Sequence, residues 1–270
     1  VRNGATLTLT DVIVDGTTTI RGGHNIQIEN KGHLIINGST KICNSNESAL
    51  NVQNGSVEMN GGEICNNTGV GTGAVLLYPM GGSSTFTMNG GSIHDNAKDD
   101  TNPDWGCGAI FVDENCIFTM NDGEIFNNTT ATSGGAMEDR GTVNIKGGSI
   151  HDNSAKSGGG ITVCESGVLN IEGGEIASNS AQWGAGINAY GNSTVKLSGT
   201  GVIRNNQSTA NAAGVFLEGG FNNGTTFTMT GGSITGNTAG GNGGAYSFQQ
   251  RNGNRSVRRN EENISTGNTF

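Results

Sequence analysis

The chain has 270 residues, of which 48 are glycine and only 2 are proline, and apolar residues make up 32%. Glycine without proline and without a three-residue period excludes collagen. A net charge of −9 argues against a nucleic-acid partner, which favours a basic stripe, and no segment is apolar enough to span a membrane as a helix.

From the N-terminus onward the chain rewrites one phrase. Loose copies start at Leu7 and Leu34, and clearer ones follow: VEMNGGEICNN from Val57, FTMNGGSIHDN from Phe86 and FTMNDGEIFNN from Phe118. VNIKGGSIHDN starts at Val143, LNIEGGEIASN at Leu169, a loose copy at Val195, FTMTGGSITGN at Phe227 and a degenerate copy at Val257. Starts recur every 23 to 32 residues, the signature of a solenoid. The chain begins within the pattern and opens on no charged-then-apolar leader, so a single domain (1–270) from a longer exported protein is expected.

Residues 143–167 show how one unit folds. Val143 and Ile145 alternate with Asn144 and Lys146, the period of a half-buried strand, and Gly147-Gly148 then permit a tight bend. Ile150 points inward again, Asn153 follows three residues later, and Gly158–Gly160 turn the chain into the strand Ile161–Val163. Three short strands joined by glycine-rich turns make one coil, and no unit contains a helical run. The fold class is therefore all-β, a single-stranded parallel β-helix (β-solenoid) of about ten coils.

Asn67, Asn96, Asn128, Asn153, Asn179, Asn206 and Asn237 fall at one offset after the repeat isoleucine. Stacked in register, their amides form an asparagine ladder. The copy from Val257 replaces the glycine pair with Glu261-Glu262, so 251–270 are expected to form a degenerate terminal coil, as a cap or a frayed end. Cys43, Cys65, Cys107, Cys116 and Cys164 show no zinc-finger spacing. Cys43 and Cys65 should be outward neighbours on adjacent coils, where a disulfide is conceivable but not required.

The paired phrases Gly-Gly-Ala-Ile and Ile-x-x-Asn resemble the repeats of chlamydial polymorphic outer-membrane proteins. Here the first appears as Gly106-Cys107-Gly108-Ala109-Ile110, Gly134-Gly135-Ala136-Met137, Gly158-Gly159-Gly160-Ile161 and Gly243-Gly244-Ala245-Tyr246. That family's second motif has Phe where this chain mostly has Ile. More broadly the chain resembles the pectin-lyase-like β-helix proteins of bacterial surfaces and secretions. This implies a right-handed helix, but the same fold carries adhesins, lyases, epimerases and glycosidases.

Stacking turns offsets into surface columns. One outward column should read Leu76, Phe111, Glu138, Thr162, Asn188, Phe216 and Ser247, and the next Tyr78, Asp113, Arg140, Cys164, Tyr190, Glu218 and Gln249. The inward column between them holds Leu77, Val112, Asp139, Val163, Ala189, Leu217 and Phe248. Asp139 breaks its apolar series, and a bulge re-aiming it outward is expected to resolve the clash. Asp113, Glu138, Asp139 and Arg140 are then the candidate catalytic patch, because glycoside hydrolysis uses paired carboxylates. Tyr78, Trp105, Phe111, Trp183 and Tyr190 are the candidate sugar platform.

His94 and His151 share a column with Phe126 between them, and repeat copying accounts for both, so no metal and no cofactor are expected. The expected function is a bacterial cell-surface or secreted module, extracellular, binding a glycan or a host-surface protein, with no nucleic acid and no membrane insertion by this segment. The alternative is a secreted glycoside hydrolase or polysaccharide lyase.

Overall fold

A computed structural model describes residues 1–17, 23–99, 106–219 and 224–252, together with the strand backbones of 255–261 and 264–265; side chains are described through residue 247. Among the described residues every regular element is a β-strand. The chain is a parallel β-solenoid, each coil laying one strand in each of three long sheets.

The first sheet carries the opening of the repeated phrase. Its nine strands run from Thr6–Thr10 to Thr226–Met229, so about eight turns separate its first strand from its last. Leu7, Leu34, Val57, Phe86, Phe118, Val143, Leu169, Val195 and Phe227 stand opposite one another without slippage. Alternation places these residues and their i+2 partners inside; Val143 and Ile145 have no exposed surface while Thr142 and Asn144 are half-buried. Register cannot slip by one residue without turning this apolar set to solvent. Phe86 and Phe118 meet edge-to-face in the core with ring centroids 5.5 Å apart.

The glycine pair makes the bend into the second sheet. Its second member has positive φ in copy after copy, as in Gly62 (84°), Gly91 (85°) and Gly123 (102°). A Cβ on Gly62 would lie 2.3 Å from the Thr40 carbonyl oxygen, so only glycine fits. The first member is replaceable, and Asp122 takes its place before Gly123.

The second sheet begins with Ile13–Asp15 and continues through strands such as Glu63–Cys65, Ser92–His94 and Ser149–His151 to Ser233–Thr235. The chain leaves it through a left-handed residue: Asn44, Asn66, Asp95, Asn127, Asp152, Ser178 and Asn205 all have φ between 53° and 59°. Asn and Asp tolerate this region through local side-chain hydrogen bonds. The next residue enters the ladder. Backbone N and Nδ2 of Asn67 donate to Oδ1 of Asn96, and the pattern repeats through Asn128, Asn153, Asn179 and Asn206 to Asn237. The amide-to-amide distances are 2.8–3.0 Å. A second, exposed ladder joins Asn121, Asn89, Asn60 and Asn37, inside the phrase itself.

The third sheet runs from Ile26–Glu29 through Val75–Tyr78, Ile110–Val112, Met137–Asp139 and Ile161–Val163 to Tyr246–Asn252. Short strands Ser180–Trp183, Gln207–Asn211 and Thr238–Ala239 form a separate three-stranded sheet at the remaining corner. The tenth copy does not add a parallel coil. Arg255–Glu261 pairs antiparallel with Tyr246–Asn252, and Ile264–Ser265 antiparallel with Ser233–Thr235. With glutamates in place of the glycine pair, this copy lacks the residue whose positive φ makes the bend.

Candidate functional site

The third sheet aligns the columns of Glu138 and Asp139. Leu76, Phe111, Glu138, Thr162, Asn188, Phe216 and Ser247 pair in unbroken register. Leu77, Val112, Asp139, Val163, Ala189 and Leu217 do the same one residue on. Asp139 is therefore not re-aimed by a bulge. It points into the core with no exposed surface, between Val112 and Val163. Its Oδ1 accepts a 3.0 Å hydrogen bond from the Gly141 backbone N–H, and Oδ2 has no hydrogen-bond partner. Burial pushes its pKa well above the ordinary aspartate value and so favours the neutral carboxyl, which lowers the cost of the clash that a bulge was expected to resolve.

The column expected at the surface is buried from Phe111 through Thr162, Asn188 and Phe216 to Ser247, and Glu138 within it is only 3% exposed. Two residues on along the same face, Arg140 folds back over it. Nε and Nη2 of Arg140 donate to Glu138 Oε1 at 3.0 and 2.8 Å, and Nη1 donates to Glu165 Oε2 at 3.1 Å. Burial raises the Glu138 pKa, and the Arg140 contact opposes that rise. The Cys164 thiol lies 3.8 Å from Glu138 Oε1 and is itself pushed up to about 12, by burial first and then by the Glu138 charge. Tyr190, half-buried beside Cys164, has its phenol raised by burial.

A cleft of about 340 Å³ opens on this face, lined by Gln53, Leu76, Tyr78, Phe111, Asp113 and Arg140. Tyr78 is 42% exposed and Phe111 is nearly covered. The Arg140 guanidinium carbon sits 5.0 Å from the Phe111 ring centroid, a cation–π distance. Asp113 Oδ1 accepts from the Glu114 backbone N–H.

The structure thus brings Tyr78, Phe111, Asp113 and Arg140 together. Glu138 lies beneath Arg140, and Asp139 faces the opposite side of the strand. The three carboxylates do not converge. Trp183 leaves the group: it ends the corner strand Ser180–Trp183, with the Lys156 ammonium 6.0 Å from its ring. Trp105 lies outside the described residues. Sequence reasoning missed Gln53 and Glu165. Gln53 pairs directly with Tyr78 across the sheet, so extending the second column one coil back would have found it. Glu165 sits in the turn after the column, where register gives no signal.

On the second sheet the rings of His94, Phe126 and His151 stack nearly parallel, with centroids 4.7 and 5.2 Å apart. The five cysteines are buried free thiols, so Cys43 and Cys65 face each other in register unbridged. No family model, curated protein or solved structure matches this chain.

Proposed function

We propose that the solenoid is a non-catalytic binding module of a bacterial cell surface or secretion, whose third-sheet cleft takes a glycan or an exposed loop of a host-surface protein. The observation that carries this reading is the cleft itself. Leu76, Tyr78 and Phe111 offer an apolar floor, and Asp113 and Arg140 offer an acceptor and donors at its edge. An apolar surface with a few placed polar groups suits a ligand that presents both C–H faces and hydroxyls. The right-handed, pectin-lyase-like assignment and the likeness to chlamydial surface repeats belong to the same reading. The extracellular location rests on that likeness and on the acidic, repeat-built sequence.

One observation favours the alternative, a glycoside hydrolase or lyase: Glu138 is a buried carboxyl with a raised pKa, the property of a general acid. Its partner is the weak point, since Asp139 faces the core and Arg140 occupies Glu138. A glycan array with wild type and Tyr78→Ala, followed by a reducing-end assay on retained glycans, separates the two. Retention lost in Tyr78→Ala without product supports the module. Product formation supports the enzyme, and no retention of any glycan removes the glycan reading.

A further inference from the structure

The cleft is not the only place where chemistry-bearing side chains meet. On the second sheet, away from the cleft, Glu63 and Cys65 are two apart on one strand and project to the same side. His94 stands directly opposite Cys65 on the next coil. The ligand atoms of these three residues all lie within 4.8 Å of one another. Glu63 Oε2 is 3.7 Å from His94 Nε2 and 3.8 Å from Cys65 Sγ. Tetrahedral zinc bonds of about 2.0–2.3 Å set donor–donor separations of about 3.3–3.6 Å. Small side-chain movements close the remaining difference.

The histidine is oriented for this role. Its Nδ1 is held by Asp95 Oδ2 at 2.7 Å, which leaves Nε2 as the nitrogen turned toward Glu63. A carboxylate behind a histidine is the usual outer partner of a metal ligand. Phe126 stacks on the ring and limits its rotation. A cation already occupies the neighbourhood: Lys41 Nζ lies 3.3 Å from Glu63 Oε2.

The second copy of Ser-Ile-His-Asp-Asn supplies an internal comparison. His151 has the same carboxylate at 2.7 Å, in Asp152, and stacks on the same phenylalanine. Its neighbour on the far coil is Ala177, and Glu175 there is taken by Arg204 through two hydrogen bonds. Repeat copying accounts for a histidine in each coil. It does not account for a thiol opposite only one of them.

We propose that Glu63, Cys65 and His94 form a site for a divalent cation of the zinc class, with water in the fourth position. A thiol, an imidazole and a carboxylate form a set that suits Zn²⁺ over Mg²⁺ or Ca²⁺. Binding forms the metal–sulfur bond and sends the Cys65 proton to solvent. Two anionic ligands then neutralise the cation, and Lys41 is displaced from Glu63.

The test titrates the full chain with Co²⁺ and follows the thiolate-to-cobalt charge-transfer absorption, then displaces it with Zn²⁺. One equivalent saturates wild type and His151→Ala, whereas Cys65→Ser and His94→Ala lose the band or weaken binding at least tenfold. Asp95→Asn weakens it about 10–100-fold. Lys41→Gln changes a half-buried side chain outside the core, keeps the test independent of core folding, and tightens binding by removing the competing cation. The proposal is overturned by no saturable band in wild type, or by a band that persists in Cys65→Ser. Equal loss in His151→Ala, or unchanged affinity in Lys41→Gln, overturns it as well.

Discussion

Asp139 accepts one hydrogen bond from the Gly141 backbone N–H and stands in a core column whose neighbours are Val112 and Val163. Burial favours the protonated form of a carboxyl so placed, whereas unfolding frees it to ionise at neutral pH. The folded state then binds more protons than the unfolded one, so this residue makes stability fall as pH rises above the usual carboxylate range. Asp139→Val is expected to stabilise the fold at pH 7 by more than the about 1–3 kcal/mol that an unsatisfied buried oxygen costs, because the proton the folded state must hold adds to that cost. The gap between variant and wild type should narrow near pH 3, where the carboxyl is neutral in both states. Urea midpoints of both proteins across that range decide it; a gap that widens on acidification counts against a neutral Asp139.

The same column shows how far the sequence could be read. The inward series, the outward series and the ladder were all legible, because each depends only on a fixed offset in a repeated unit. What an offset does not carry is what covers a side chain once it leaves the backbone. Glu138 and Arg140 are both outward by period, yet the column through Phe111, Glu138, Thr162, Asn188, Phe216 and Ser247 is buried along its length, under glycine turns such as Gly134 and Gly158. Arg140 hydrogen-bonds a Glu138 already covered. Trp183 was misplaced for a related reason. The residues between the ladder asparagine and the third-sheet strand vary in number from coil to coil, so columns at that corner cannot be aligned by counting.

Arg140 should matter more to folding than an exposed ion pair would. Its guanidinium makes two hydrogen bonds to a carboxylate that is 3% exposed. Arg140→Gln leaves that carboxylate unpaired and is expected to cost about 3–5 kcal/mol at pH 7. Without the opposing cation, the folded-state pKa of Glu138 rises further. The loss should therefore shrink as pH falls toward 4, where the carboxyl takes up a proton in both states. The double variant Glu138→Gln/Arg140→Met should recover most of the stability, because removing both charges removes the desolvation conflict. Denaturation of the two variants at pH 7 and pH 4 checks both parts, and a Glu138→Gln/Arg140→Met protein no more stable than Arg140→Gln would refute the pairing argument.

The ladder makes a sharper claim, because each asparagine serves two neighbours. Asn128 Oδ1 accepts from the backbone N and Nδ2 of Asn96, while its own Nδ2 donates to Asn153 Oδ1 and the Ile93 carbonyl. Asn128→Ala strands donors on one side and acceptors on the other, all without exposed surface, and should cost about 2–4 kcal/mol. Asn237→Ala, at the last rung and 7% exposed, should cost less than half as much, since water reaches the freed groups and an end coil frays without splitting the stack. A small cavity would also weaken Asn128→Ala, so Asn128→Asp separates the causes. It keeps the volume and the acceptor toward Asn96, but it faces the Asn153 oxygen without a proton to donate. If amide donation along the axis holds the coils, Asn128→Asp will be at least as destabilising as Asn128→Ala at pH 7 and will recover on acidification as the carboxyl gains a proton. A mild Asn128→Asp with a severe Asn128→Ala would instead make the column a matter of packing. The opposite end already leans toward hydrogen bonding: at Ser45 the amide is missing, the register continues, and the Ser45 backbone N–H still donates to Asn67 Oδ1 at 2.9 Å.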